Sequence, residues 1–259
     1  MVRPCARVVG EDIGAVRVLT LDNEAKRNAF SGSMADDLLR LFREADATAA
    51  VRCVVVTGAG RKAFSSGHDL TEVLGASEAA VGADANRAFV HPANMAKPVI
   101  AAVNGAAYAG GFILALSCDL RVASRNAAFC VPGARIGLLP IGGQLSRLLH
   151  VMPHARALEM ALTAQPMTAG EAHGLGFVNR LVPEGEALPA ALALAADIAA
   201  NSPAVARAIK RGVDVSLRKG VAAGEAWEWE TGPALAGHAD AEEGVRAFLE
   251  KRRPRFEDS

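Results

Sequence analysis

The chain has 259 residues, 51% of them apolar, and its 28 lysines and arginines are balanced by 28 aspartates and glutamates. That is enough apolar material for one domain with a buried core, and zero net charge gives no general attraction to nucleic acid or to an anionic membrane. Cys5, Cys53, Cys118 and Cys130 show no CxxC spacing and read as reduced thiols, and no uninterrupted apolar span interrupts the expectation of a cytoplasmic protein.

A hairpin is expected first, with strands at 6–9 and 15–21 around a turn at 10–14. Residues 31–47 carry Met34, Leu38, Leu39, Leu41, Phe42 and Ala45 at helical spacing behind Ser31 or Ser33 as cap. A β-branched strand at 53–57 runs into the turn Phe64-Ser65-Ser66-Gly67-His68-Asp69-Leu70, with a helix from about 70, a polar and alanine-rich stretch over 75–87 that reads as a mobile lid, and a helix at 89–95. The unit then repeats: strand 99–103, the glycine turn Asn104 to Gly111, helix 110–117, and strands 120–123 and 128–131. This recurrence suggests an α/β fold with a β-β-α spiral core over 1–195. Helices are expected at 143–150, 153–162, 168–173, 188–200, 203–219 and 225–235, so that 196–259 forms a helical region of the same structural unit.

The two glycine turns carry the chemistry. Each follows an apolar strand and opens a helix, where backbone N–H groups lack intrahelical acceptors and favour negative charge. A thioester carbonyl that becomes an enolate needs two such donors converging on its oxygen, and glycine permits the close approach.

These turns, with the segments 21–30, 118–124, 167–179 and 244–254, resemble the crotonase, or enoyl-CoA hydratase/isomerase, superfamily along nearly the whole chain. The first turn and the Pro132-Gly133 pair are similar to one variety of that family. The resemblance implies a β-β-α spiral with a C-terminal helical trimerisation region, assembled as a homotrimer or a dimer of trimers. It implies an acyl-CoA thioester as ligand, with the backbone N–H groups of His68 and Gly110 as catalytic oxyanion donors. Lys26, Arg27, Ala29, Ser66 and Gly67 fall on segments that line the acyl-CoA. The two glutamates of the family's hydratases fall on Ile113 and Gly133, which line the acyl site without supplying acid or base. Hydration needs both functions. The implied chemistry is therefore enolate stabilisation, with two alternatives: decarboxylation of a malonyl-type thioester, which generates the enolate without a base, or non-catalytic acyl-CoA binding. Returning glutamate to 113 and 133 is expected to raise hydration, and proline at 110 is expected to delete one donor while sparing the fold.

Other readings stay open. The His68 imidazole either bonds locally or moves a proton, Asp69 is read as a helix cap, and Tyr108 packs or donates to substrate. Lys26 and Arg27, and the tail residues Lys251, Arg252, Arg253 and Arg255, are surface charge or phosphate ligands. His150 and His154 have no completing carboxylate and no nucleotide-binding glycine motif occurs in a suitable context, so no metal and no cofactor beyond substrate coenzyme A is expected.

Overall fold

The computed structural model describes residues 6–73, 84 and 86–257. Strands β1 (Arg7–Ile13) and β2 (Val16–Asp22) form the opening hairpin, followed by helix α1 (Gly32–Ala47). The first coil comprises β3 (Cys53–Gly58), β4 (Ala63–Ser65) and α2 (Leu70–Val73), with α3 (Arg87–Val90) continuing as a 3-10 turn over His91–Asn94. The second comprises β5 (Val99–Val103), β6 (Ala106–Tyr108) and α4 (Gly110–Ser117); the third begins with β7 (Leu120–Ser124) and β8 (Ala128–Cys130). After α5 (His154–Thr163), β9 (Met167–Thr168), α6 (Ala169–Gly174) and β10 (Arg180–Val182), the chain is helical: α7 (Ala187–Ala199), α8 (Pro203–Lys219), α9 (Val221–Ala236) and α10 (Ala239–Leu249).

Two sheets result. The larger is ordered β1-β2-β3-β5-β7-β10 and the smaller β4-β6-β8-β9, parallel except at the β1–β2 and β8–β9 pairs. Each coil thus contributes one strand to each sheet, the β-β-α spiral expected from the recurrence.

Burial on both faces explains the near-continuous apolar strands. Val54 and Val56 face the main core with Phe30, Phe42, Phe64, Phe89 and Phe112, whereas Cys53, Val55, Ile100 and Ala102 face α7. That helix meets the sheet through Ala187, Ala191 and Ala195, whose small side chains recur every fourth residue. Burial pushes the Cys53 and Cys118 thiols up to about 12.

Several boundaries differ from expectation. The hairpin strand runs through Gly10 to Ile13, because β1 pairs with β2 along its whole length. The helix expected at 143–150 is a chain of turns ending in a 3-10 turn at Leu148–His150; Gly142 and Gly143 there have φ of 65° and 93°, outside helical geometry. Most of the 75–87 stretch read as a lid lies outside the described residues.

In the helical region, α8 is tied to the core by Lys210, whose ammonium donates to Asp119 at 2.8 Å and to the carbonyls of Pro92 and Lys97. The helices α8 and α9 cross at Gly212, where a Cβ would stand 2.7 Å from the Trp227 ring. Val205, Ile209, Val213 and Leu217 form an exposed apolar stripe along α8, lining a groove of about 1220 Å³. Among the described residues no single helix is long and apolar enough to cross a membrane.

Candidate active site

The first glycine turn is fixed from behind by two buried amides. Asn28 Nδ2 donates to the carbonyls of Ala59 and Ala63 at 3.0 and 2.8 Å. Asn104 Nδ2 donates to those of Gly58 and Gly60 at 2.9 and 2.7 Å and its Oδ1 accepts from Gly58 N at 3.1 Å. With the 58–63 turn clamped, β4 delivers the buried Ser65, whose hydroxyl donates to Asn28 O at 2.8 Å and accepts from Gly67 N at 3.1 Å. Gly67 then turns the chain at φ +89°, a backbone region that glycine enters at no steric cost. Its carbonyl accepts from Phe30 N at 2.8 Å, and Asp69 N donates to Phe30 O at 2.9 Å, so the turn is stitched to the 23–30 segment as a short parallel bridge.

Asp69 caps α2. One carboxylate oxygen accepts from Thr71 N and Thr71 Oγ1 at 3.0 and 2.7 Å, and the other accepts from Lys26 Nζ at 2.5 Å. The Lys26 ammonium, followed by the Thr71 hydroxyl and amide, holds the carboxyl at about 2, well below the usual range. Lys26 is thereby committed to the turn itself.

The second turn reaches the same place from the next coil. Ala109 has φ 48° and ψ −117°, a strained conformation for a non-glycine residue that costs on the order of 1–3 kcal/mol. Gly110 is the first residue of α4, so its N–H has no acceptor within the helix. Behind it, the Ala109 carbonyl accepts from Ile113 N at 3.0 Å and from Gln144 Nε2 at 3.2 Å, while Ala109 N donates to Cys130 O at 3.2 Å.

The two turns touch where neither has a side chain. A Cβ on Gly67 would stand 2.6 Å from Gly110 N; one on Gly110 would stand 3.1 Å from Gly67 Cα and 2.7 Å from the Phe89 ring; one on Gly111 would stand 2.1 Å from Ser65 O. Van der Waals contact between backbones therefore sets the separation of the Gly67–His68 and Ala109–Gly110 peptides. Both have carbonyls hydrogen-bonded on the far side, and a trans peptide directs its N–H opposite its carbonyl. Two fixed peptide N–H groups of this kind are suited to hold an oxyanion.

The structure brings Lys26, Arg27, Ser66, Gly67, His68 and Gly110 together. Ser66 N donates to Arg27 O at 3.1 Å, and Ser66 Oγ to Lys26 O at 3.4 Å. Arg27 and Asn28 turn the chain at φ 57° and 54°, leaving Arg27 exposed and Ala29 buried beside them. The His68 ring is half-buried, packs edge-on against Phe89 with centroids 4.9 Å apart, and places Nε2 3.4 Å from Asn86 Oδ1. Tyr108 is half-buried, and burial raises its hydroxyl pKa.

Space is tight at the positions where substitutions were expected to act. Ile113 is 3% exposed, and a Cβ on Gly142 would come within 2.9 Å of its side chain, so position 113 is sealed under a glycine turn. A Cβ on Gly133 would stand 2.4 Å from Leu138 O, because Leu138 N closes the 133–138 turn onto Gly133 O at 3.0 Å. Any side chain at 133, glutamate included, therefore requires the 133–138 turn to shift. A proline at 110 would also place its Cβ 2.7 Å from the Phe89 ring, which would have to shift. In the tail, Arg252 is paired with Glu243 at 2.6 Å and Glu250 at 2.5 Å.

Sequence reasoning missed Ser65, Phe89, Ala109, Gly111 and Gln144. Their roles lie in hydrogen bonds and contacts between coils, and only the Gly110-Gly111 pair gave a local sign. Among the described residues, no three His, Cys, Asp or Glu side chains are grouped closely enough to hold a metal ion.

A profile of the family described as enoyl-CoA hydratase/isomerase matches residues 11–259. The enoyl-CoA hydratase EchA19 of Mycobacterium tuberculosis is 34% identical over 95% of this chain and 94% of its own length. The 2,3-dehydroadipyl-CoA hydratase of Escherichia coli is 35% identical over 93% of this chain and 94% of its own. The crystal structure of an enoyl-CoA hydratase from Mycobacterium tuberculosis superposes with a TM-score of 0.92 at 35% identity, covering 98% of this chain and 100% of the other. One from Bacillus anthracis gives 0.93 at 29% identity, again covering 98% and 100%. Two-sheet spiral, glycine seam and sequence agree, and the chain belongs to the enoyl-CoA hydratase/isomerase family of the crotonase superfamily.

Proposed function

We propose that this protein binds an acyl-CoA thioester and stabilises its enolate between the backbone N–H groups of His68 and Gly110, with no carboxylate from positions 113 or 133. The observation that carries this reading is the side-chain-free contact of Gly67 with Gly110 beside an apolar Ile113. Lys26, Arg27, Ala29 and Ser66 border the coenzyme A side of the seam, Lys26 acting mainly through Asp69.

Decarboxylation of a malonyl-type thioester suits such a site. The bond from the α-carbon to the carboxylate carbon breaks, carbon dioxide leaves, and the electron pair passes into the thioester as an enolate oxygen held by the two N–H groups. A proton from water or from the His68 imidazole then closes the reaction at the α-carbon. Two family glutamates are unnecessary for this sequence, whereas hydration needs a base on water and an acid at carbon. A homotrimer, or a dimer of trimers, in the cytoplasm is the working form in this reading, and the exposed apolar stripe of α8 supports an interface with another copy of the chain.

The test is mass analysis of the protein incubated with enoyl-, 3-hydroxyacyl- and malonyl-type CoA thioesters. Loss of carbon dioxide is expected. Gain of water would overturn the assignment, and binding without change would leave a non-catalytic acyl-CoA-binding protein.

A further inference from the structure

The two peptides at the seam are supported unequally. Behind Gly67–His68 stands a backbone donor, Phe30 N, which every residue type supplies. Behind Ala109–Gly110 stand Ile113 N and a side chain, the amide of Gln144. Gln144 is 5% exposed and reaches this position because the left-handed pair Gly142-Gly143 turns the chain back over α4. Its partner is a carbonyl, which fixes the amide with nitrogen toward Ala109. With Ile113 N it fills both lone pairs of that oxygen.

Resting on the oxyanion reading above, we infer that Gln144 is a positioning residue: it holds the strained Ala109–Gly110 peptide in register and polarises it, making the Gly110 N–H a stronger donor to the substrate carbonyl. First, Ala109 is held at φ 48° and ψ −117°, which persists only where its surroundings over-determine it, and among the described residues the Gln144 bond is the one side-chain hydrogen bond to its carbonyl. Second, a hydrogen bond accepted at a peptide oxygen draws charge through the amide and strengthens donation from its N–H, by roughly 10–30% per bond in condensed phases. Gln144 itself does not touch the reacting atoms; it acts through the peptide.

Isotope-edited infrared spectroscopy reads this directly, with butanoyl-CoA carrying carbon-13 at the thioester carbonyl as probe. In the wild type, the carbonyl stretch should move down on binding. In Gln144→Met, which keeps shape and loses the donor, the affinity should stay near that of the wild type while the Gly110 share of the down-shift falls by about 10–30%, or about 5–15% of the whole where the two donors contribute equally. In Gln144→Glu, the side chain can donate only when protonated. Its down-shift should therefore grow as pH falls, over a range in which the wild type's stays level; this series compares one protein with itself and stands even where the methionine variant folds poorly. A Met variant with the full wild-type down-shift, or a Glu variant insensitive to pH, overturns the Gln144 assignment and leaves the oxyanion reading intact. A wild type that leaves the bound carbonyl at its aqueous frequency overturns both.

Discussion

Gly67→Ala tests the seam most sharply. The added methyl carbon would lie 2.6 Å from Gly110 N and 3.0 Å from Ala109 Cβ, inside the ~3.5–4.0 Å at which such atoms attract. Holding an L-residue near φ +89° costs about 1–2 kcal/mol. Relieving the overlap costs about 1–3 kcal/mol more, so the variant should be less stable by about 2–5 kcal/mol. With an unfolding entropy of about 2.1 cal/mol/K per residue, that lowers the melting temperature by roughly 4–9 °C for a chain of 259 residues. The methyl group also displaces the Gly110 donor. Where turnover is measurable, kcat should fall by about 10²–10³, the usual effect of losing one oxyanion donor. Gly14→Ala is the control, because Gly14 has φ +59° with nothing within 4 Å of its Cβ position and incurs only the backbone term. Thermal unfolding of both variants, with the carbonyl stretch of bound acyl-CoA, decides the matter. If Gly67→Ala melts with Gly14→Ala and keeps the full carbonyl shift, the two turns do not meet as described.

Three further outcomes follow from the same geometry. The Asp69 carboxyl sits at about 2 when folded and about 3.9 when unfolded, so its contribution is complete above about pH 4 and lost as pH falls toward 2. The urea midpoint of the wild type should therefore exceed that of Asp69→Asn by a constant margin above pH 4 that closes below it; a margin independent of pH would refute the Lys26–Asp69–Thr71 cluster. Glutamate at both Ile113 and Gly133 should yield no gain in hydration of a short enoyl-CoA, and Gly133→Ala alone should cost about 1–3 kcal/mol, measured by denaturant titration. Iodoacetamide at pH 8 should spare Cys53 and Cys118 in the native protein and label both after denaturation, because their thiols ionise only near 12; peptide mass analysis reads this, and rapid native labelling would show that the sheet interior opens.

Much of the spiral was legible because its central strands are β-branched runs bounded by glycine. The start of α1 was legible from its serines, of which Ser31 is the cap, accepting from Met34 N; Ser202 caps α8 in the same way, accepting from Val205 N. The short strands β4, β6 and β10 were not, since three residues carry no period and gain strand geometry only from neighbours in other coils. Helix α10 escaped notice although His238 caps it, because its large apolar residues, Val245, Phe248 and Leu249, all fall in its last five positions. In the site, Gly67 and Gly110 announced themselves by residue type. Ala109 did not, because an alanine at positive φ has no signature in sequence, and Gln144 bonds to a residue 35 positions away. The closure of the Gly133 turn was equally hidden, being a contact of one backbone with another.

The contact of Gly67 with Gly110 separates two properties that most binding sites entangle. The spacing of the donors is set by backbone contact between two consecutive coils pressed together, and Gln144 apart it does not depend on the side chains that wall the cleft. Those walls, including the exposed Ile136, Leu138 and Leu139, can vary without retuning the donors so long as Gln144 stays behind the Ala109–Gly110 peptide. Such an architecture lets substrate preference drift, or the reaction itself change, while the electrostatic instrument stays the same. It also means that the instrument does not exist in any fragment: one coil alone presents half a grip, and only the closed spiral completes it.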